Sequence, residues 1–525
     1  MQSFPFTEVK PVERWSNFHG TVTARVETYC TPDGLGVAGD DSPRRFARHG
    51  QAIDAILQHC FAEQQPLRVL GAGWSLSKIV APSAVVLDPA NLNAVLKVRA
   101  AWIEPAYRVA KPDRTLIFAQ AGATISSLNR RLGEVGLALQ TSGASDGHRV
   151  AGCIATGSHG SAIDVGAVHD TVRAIHLVTA PGRAVFLQPG QGAACTDDVA
   201  DWLARETGIP TRSVRDDRLF AAALVALGSL GVVHGVVIEA VPLYRLRRRK
   251  LAFGFDDAAL WQAVRTLDTR ALHPDRPDRP YHFEVVLQPY PEGGTNEAYA
   301  VMMWKEPTDG SPFAGPTPGV PELSNEVLDL ITDLSGRLDG GLAGRALKKV
   351  VHDTLAGRYR PGDTAPRFPG QMFGWTSTPP GKSASTEIVV DHVHSRAAVA
   401  AIYDALHSHD ARGELLLGAV ALRFVPKSSA VLGMNIHPQN CFIELPSLRS
   451  NEVESIYASC YAALSRAAIP FTCHWGQHHT LDAPQLQRYF GDRPEHWRAA
   501  RQELLPEAVA RSVFASADLA SLGLG

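Results

Sequence analysis

An α+β fold is what the sequence predicts, on three observations. Residues 1–245 interleave short apolar runs of strand length with single amphipathic helices. Residues 246–465 carry further strand-like runs separated by turns. The tail beyond Leu481, within a final segment 466–525, reads as helical. No internal repeat or long low-complexity tract interrupts this order.

Taken in order, residues 1–41 give weak signals, and 42–60 read as a helix. Ser42 can cap it, Pro43 suits its first position, and Phe46, Ile53, Ile56 and Leu57 recur at helical spacing. The apolar runs 67–70 and 84–88 are strands, as is 116–120. Thr124 or Ser126 starts a helix with Leu128, Leu132 and Val135 on one face, stopped by Gly136. Runs 172–179 and 184–187 flank Pro181-Gly182 as a hairpin. A helix over 216–227 ends in Gly228-Ser229-Leu230-Gly231, and 232–241 is a strand. Strands follow at 251–255, 282–287 and 298–304, then a Pro/Gly-crowded loop over 305–321 and a helix over 322–351 broken by Gly340-Gly341. Strands 386–390, 419–425 and 441–445 and an amphipathic helix over 395–406 complete the middle of the chain.

Composition excludes several classes. The chain has 525 residues, 45% hydrophobic and 20% charged, enough for two or more domains with real cores. A net charge of −2 implies no general attraction to nucleic acid or anionic membrane. No apolar run approaches the ~18 residues of a membrane span. The first ten residues lack a basic-then-apolar pattern, so no secretory signal is expected. Seven scattered cysteines without a CxxC pair suit free thiols in a reducing cytoplasm.

The most informative stretch is 149–161, RVAGCIATGSHGS, which is nearly without bulk. Its glycines let the backbone approach a ligand, and its N–H groups suit an anionic, phosphate-bearing one. A second such loop spans 71–77 and a third 228–231, which together suggest an extended cofactor lying across the backbone. A dinucleotide-fold reading of 67–88 fails: Leu76 stands where the third glycine belongs, and the ten residues between Gly73 and Ala84 leave no room for a crossover helix. Gly143-Ala144-Ser145-Asp146-Gly147 matches the nucleophile elbow of hydrolases, but the residues after it are β-branched and glycine-rich, poor for the helix an elbow needs. His474, His478 and His479 cluster without the glutamate of a zinc protease motif, so no metal is expected.

The order helix, strand, GAGWSLS, strand ending LD, AQAGA, helix, GLALQTSGASDGHRVAGCIATGSHGS, hairpin, helix, LGSLGVV resembles the flavin-binding domain of the vanillyl-alcohol oxidase / p-cresol methylhydroxylase superfamily. Within it, His474-Trp475-Gly476 is similar to a His-Trp-Gly-Lys signature of the aldonolactone and alditol oxidase branch. The resemblance implies a two-part FAD-binding domain over 1–245, a cap domain over 246–465 whose antiparallel sheet covers the flavin, and a segment 466–525 packing back on the FAD domain. It places Gly71, Ala72, Gly73, Trp74, Ser75, Leu76 and Ser77 around the pyrophosphate. Gly152, Ala155, Thr156, Gly157, Ser158, His159 and Gly160 would run along pyrophosphate and ribityl chain, with Ser142, Gly143 and Ser145 just upstream. Ala121 and Gly122 would approach the ring, and Gly231, Val232 and Val233 the adenine. Trp74 and Ser145 stand where relatives carry a covalent histidine or cysteine, which implies non-covalent FAD.

In the cap, the branch's Glu-x-Arg pair, histidine and lysine fall on Ala421, Arg423, Glu444 and Gln477. Losing the glutamate and lysine points away from simple alditols or lactones. Leu422 and Phe424 turn to the opposite sheet face, so Arg423 shares the face of Ala421. The expected reaction is hydride removal from a CH–OH carbon of a small organic substrate, or from CH–NH, to flavin N5. Arg423 would stabilise an oxyanion, Glu444 take the hydroxyl proton with His474 as rival base, and Gln477 hydrogen-bond flavin or substrate. The small residues 121–123 suggest an open path for oxygen and therefore an oxidase. The alternatives are a dehydrogenase, a flavin-binding protein without redox activity, and a serine hydrolase through Ser145.

Overall fold

A computed structural model describes residues 3–33, 43–308, 310, 313, 327–337, 344–374 and 381–525. Ser42, Gly340-Gly341 and most of the loop over 305–321 lie outside them. Three sheets organise the chain. The first has the order Thr7–Ser16, Thr23–Pro32, Val85–Leu87, Leu67–Val69. Its first two strands come from the region of weak sequence signals and form an antiparallel hairpin, the second of them running parallel to Val85–Leu87. Leu67–Val69 and Val85–Leu87 are parallel neighbours joined by a single 3-10 turn, Lys78–Val80, as expected of a crossover too short for a helix.

The second sheet is centred on Val232–Pro242, flanked by Val172–Ala180 and Thr115–Gln120. The hairpin at Pro181-Gly182 forms, with Gly182 at a φ of +65°, which glycine adopts at no steric cost. Thr124 caps the helix Ile125–Gly133 by accepting from the Ser127 N–H. One local expectation fails. Residues Val150–Thr156 are helical despite their composition. Val150, Cys153 and Ile154 bury into the main core, and Gly157 closes the helix in the left-handed region, so tertiary burial outweighs propensity.

The third sheet has eight strands, in the order Gly362–Arg367, Tyr244–Phe253, Ala298–Pro307, His282–Leu287, Val420–Pro426, Gln439–Leu448, Ser383–Asp391, Thr472–Cys473. One face buries Leu422, Phe424, Ile443 and Ile388 against the helices Ala258–Thr266, Ser395–Asp410 and Val453–Arg466. The other face carries Ala421, Arg423, Glu444 and Glu387. The tail helices return to the first half of the chain: Trp497 and Leu504 join the core of Leu219 and Phe220, and the Leu67 N–H donates to the Val513 carbonyl.

A buried polar chain crosses the second sheet. The Gln120 amide donates to His49 Nδ1 at 3.0 Å and His234 Nε2 at 2.9 Å, and its oxygen accepts from the Ala94 N–H. His234 Nδ1 must then donate to His176 Nδ1 at 2.9 Å, and His176 Nε2 to Thr211 Oγ1 at 3.1 Å. Every imidazole is neutral in this arrangement. Burial drives the His49 pKa to about 4, that of His176 to about 3 and that of His234 well below 6.5. These depressed folded-state values mean that unfolding takes up protons below the ordinary histidine pKa. Their stabilisation is therefore complete above pH ~6.5 and falls with pH below it, by ~1.4 kcal/mol per unit for each histidine. Calorimetry should show the melting temperature falling steadily from pH 6.5 towards 4.5, with a shallower slope for His176→Gln. A flat profile would show that the chain is not held neutral.

Candidate active site

Two adjoining cavities lie where the glycine-rich loops meet the third sheet, sharing Trp74, Ser75, His148 and Thr156 as walls. The inner one is bounded by Gly71, Ala72, Gly73, Gly152, Ala155 and Gly228. A Cβ on Gly152 would sit 3.3 Å from Gly71 Cα, so a side chain at either glycine would crowd the other loop. Two guanidinium groups reach this cavity. Arg149 donates to the Gly71 carbonyl at 2.9 Å and pairs with Asp88. Arg68 is buried and donates to the Leu227 carbonyl at 3.2 Å, and among the described residues no carboxylate lies within ion-pair distance of it. Burial lowers its pKa only to about 10, so it stays cationic at neutral pH. Backbone without bulk beside a buried cation, with Asp518 acting on it only from beyond ion-pair distance, fits the diphosphate of an elongated dinucleotide. Arg68 carried a sequence signal, a lone cation in an apolar strand, that the sequence reading missed.

The outer cavity brings together Trp74, Leu76, Ser142, Gly143, Ser145, Ser158 and His159 with Arg423, Glu444, His474 and Gln477. Among the described residues Ser145 Oγ is buried with no hydrogen-bond partner, a group that a bound ligand would satisfy, and no histidine hydrogen-bonds it as a triad requires. Trp74 stacks on Phe18 at a centroid distance of 4.9 Å and packs against His148 at 4.6 Å. It offers no nucleophile. Ser77 instead donates to the Trp475 carbonyl at 2.5 Å and faces a third chamber, which also contains His478 and His479.

Several residues expected near the ligand lie outside the lining of both cavities and pack against neighbouring backbone or core. Ala121 is fully buried, and a Cβ on Gly122 would collide with the Pro89 carbonyl at 1.8 Å, so neither lines the cavities. Gly160 abuts the Gly143 carbonyl, where a Cβ would come within 2.8 Å. At Gly157 a Cβ would come 2.8 Å from the Met434 side chain, and the φ there is +75°. Gly231 has a φ of +133°, and a Cβ on it would lie 2.7 Å from the Val178 carbonyl. Val232 buries with Val85 and Leu87, and Val233 packs on the neighbouring core.

The chemistry concentrates on the third sheet. Ala421 pairs with Glu444 and Arg423 with Phe442, so Arg423 and Glu444 are diagonal neighbours, 2.6 Å apart at Nη1 and Oε2. Two carboxylates escaped the sequence reading. Glu284, directly opposite Arg423, accepts from its Nε at 3.0 Å. Glu387, directly opposite Glu444, lies 3.9 Å from Arg423 Nη1. Burial opposes the charge on Arg423, but Glu444, Glu284 and Glu387 together push its pKa well up. Burial likewise raises Glu284, yet Arg423 and His282 overcome it and hold the carboxyl at about 2. Glu444 Oε1 accepts from Ser385 Oγ at 3.1 Å and Gln477 Nε2 at 3.0 Å, while Oε2 has only the ion-pair contact with Arg423.

His474 is neutral. Burial drives its pKa to about 3 against the opposing pull of Glu387, and its Nδ1 accepts from the Gly476 N–H at 3.0 Å. His19 and His148 also line the cavity, both lowered by burial to about 4. His159 stacks on Phe442 at 3.8 Å and meets Glu387 Oε2 at 3.1 Å.

Residues 45–188 match the family model of an FAD binding domain. Over 510 residues the chain is 23% identical to an L-gulono-1,4-lactone dehydrogenase of Mycobacterium tuberculosis, covering 94% of this chain and 96% of that protein. An L-gulonolactone oxidase of Scyliorhinus torazame is 29% identical over 196 residues, 37% of this chain and 36% of that protein. The fold is that of a cholesterol oxidase from B. sterolicum, at a TM-score of 0.68 and 13% identity, with 97% and 96% of the two chains covered. Since Trp74 replaces a nucleophile beside the cavity, acid precipitation should release yellow flavin into the supernatant. A washed pellet that stays yellow would show a covalent link through another residue.

Proposed function

We propose that this chain, an FAD-dependent oxidoreductase built around an FAD binding domain at residues 45–188, oxidises a CH–OH carbon of a small hydroxyl-rich substrate. The observation that carries the reading is the row Glu284, Arg423, Glu444, Glu387 on the sheet face that walls the outer cavity. FAD supplies the redox chemistry by taking the hydride. Arg423 steadies the negative charge that develops on the substrate oxygen, and its position is fixed by Glu284 and Glu444. Glu444 holds Arg423 in place through Oε2, and its Oε1 is occupied by Ser385 and Gln477. Gln477 braces Glu444, and His474 contributes a neutral imidazole.

The glutamates of neighbouring strands restore the polar density that a polyol or sugar-lactone substrate needs, since each unpaired buried hydroxyl costs ~1–3 kcal/mol. The names of the relatives favour the same class. Oxygen is the proposed electron acceptor. The full-length likeness to a protein named a dehydrogenase favours a dye-like acceptor as the second reading. The described residues hold no helix long and apolar enough to cross a membrane, and all seven cysteines are buried free thiols, which agrees with a reducing cytoplasm.

An anaerobic screen of alcohols, amines and sugars checks the reading. Hydroxyl-rich alcohols or lactones should bleach the bound flavin, and Arg423→Met should lower kcat/KM by ~10²–10³-fold. Colour should return on admitting air. A flavin that stays reduced in air but reoxidises with a dye makes the protein a dehydrogenase, and a flavin that no compound bleaches removes the redox reading.

A further inference from the structure

His159 Nδ1 lies 2.9 Å from the Gly160 carbonyl, which can only accept, so Nδ1 carries a hydrogen. In a neutral imidazole the other nitrogen is then an acceptor. Yet His159 Nε2 lies 3.1 Å from Glu387 Oε2, and the two residues are 5% and 1% exposed. Two bare acceptors would repel at that distance, so a proton must sit between them, on the imidazole or on the carboxyl. The surrounding charge asks for the same proton. Three carboxylates, Glu284, Glu387 and Glu444, surround the guanidinium of Arg423, Arg248 acts on Glu284 from beyond it, and the nearby imidazoles of His474, His148 and His19 are neutral. A buried carboxylate with neither a close cation nor a shared proton is costly.

We propose that His159 and Glu387 share one proton and that Glu387, through its other oxygen, is the base of the reaction. This rests on the reading of the outer cavity as the site of CH–OH oxidation. Among the described residues Glu387 Oε1 and Glu444 Oε2 are both buried without a hydrogen-bond partner, but Glu444 Oε2 lies against Arg423 Nη1 at 2.6 Å, whereas Glu387 Oε1 stands 3.9 Å from it and is the freer of the two. As the substrate C–H bond gives its electron pair as hydride to oxidised FAD, the O–H bond breaks, its proton passes to Glu387 Oε1, and the carbon–oxygen double bond forms. The shared proton stays with His159. Accepting the proton removes one of three neighbouring negative charges and so relieves buried repulsion. His159 is a positioning residue: Phe442 packs on its ring, the Gly160 carbonyl holds its Nδ1–H, and the shared proton ties Glu387 Oε2 to the imidazole, leaving Oε1 as the accepting oxygen. The same three groups, His159, Glu387 and His474, lie close enough to hold a metal ion, which is the competing occupant.

The test uses FAD-loaded enzyme and two independent readouts. Proton NMR of the resting enzyme should show a far-downfield bridging resonance, lost in Glu387→Gln and in His159→Gln. Anaerobic flavin reduction should slow ~10²–10⁴-fold in Glu387→Gln with FAD content unchanged. Glu444→Gln should mainly raise the substrate concentration needed. Reduction at the wild-type rate in Glu387→Gln overturns the proposal, as does a stoichiometric metal in the purified enzyme that this variant loses. If no alcohol reduces even the wild-type flavin, the oxidation reading fails, while the bridging resonance still decides whether the pair holds a proton.

Discussion

The buried guanidinium of Arg423 holds the active face of the third sheet together. It reaches Glu284 on one neighbouring strand and Glu444 on the other, and Glu387 stands one strand further away. Taking such charges out of water is costly, and the cost is recovered only when geometry and hydrogen bonding are good. The geometry here comes from strand register. A slip of one residue in Val420–Pro426 would turn Arg423 into the apolar layer of Leu422 and Phe424 and leave three carboxylates without their partner. The polar row therefore depends on the same alternation that builds the apolar core behind it.

The two halves of the site solve different problems. The inner cavity is made by the absence of side chains, with Gly71 and Gly152 close enough that neither loop tolerates a Cβ on the other without adjustment. The outer cavity is made by charged and imidazole side chains whose mutual contacts fix their protonation. Trp74 and its partners Phe18, His19 and His148 form the aromatic partition beside the junction. A ligand spanning both parts meets backbone and cations at one end and a hydrogen-bonded cluster at the other.

Much of this was legible in the sequence. The glycine-rich loops, the strand carrying Arg423 and the strand carrying Glu444 all stand close to where pattern and resemblance put them, because turn glycines and period-two alternation are local signals. Glu284 and Glu387 were not legible. Each is one polar residue in an apolar strand, and only the pairing of strands distant in sequence reveals that they face Arg423. Gly122 and Gly231, expected near the ligand, pack against neighbouring carbonyls. Their smallness looks the same in sequence whether it admits a ligand or a neighbouring carbonyl. The short helix Val150–Thr156 was missed because burial of three side chains, and not intrinsic preference, makes it form.

The tail helices bear on how the molecule is made. Trp497, Leu504 and Leu519 fill the core begun by Leu219 and Phe220, and the Val513 carbonyl accepts from Leu67 at the start of a strand laid down hundreds of residues earlier. Contacts of such sequence separation close last and slow folding, because long loops must be ordered before they are rewarded. The half of the chain that carries the glycine-rich stretches is consequently not complete until residue 513 and its neighbours have been made. Until residue 513 and its neighbours emerge, the apolar surfaces of Leu67, Val85 and Leu87 lack part of their cover, so nascent or truncated chains expose them to aggregation.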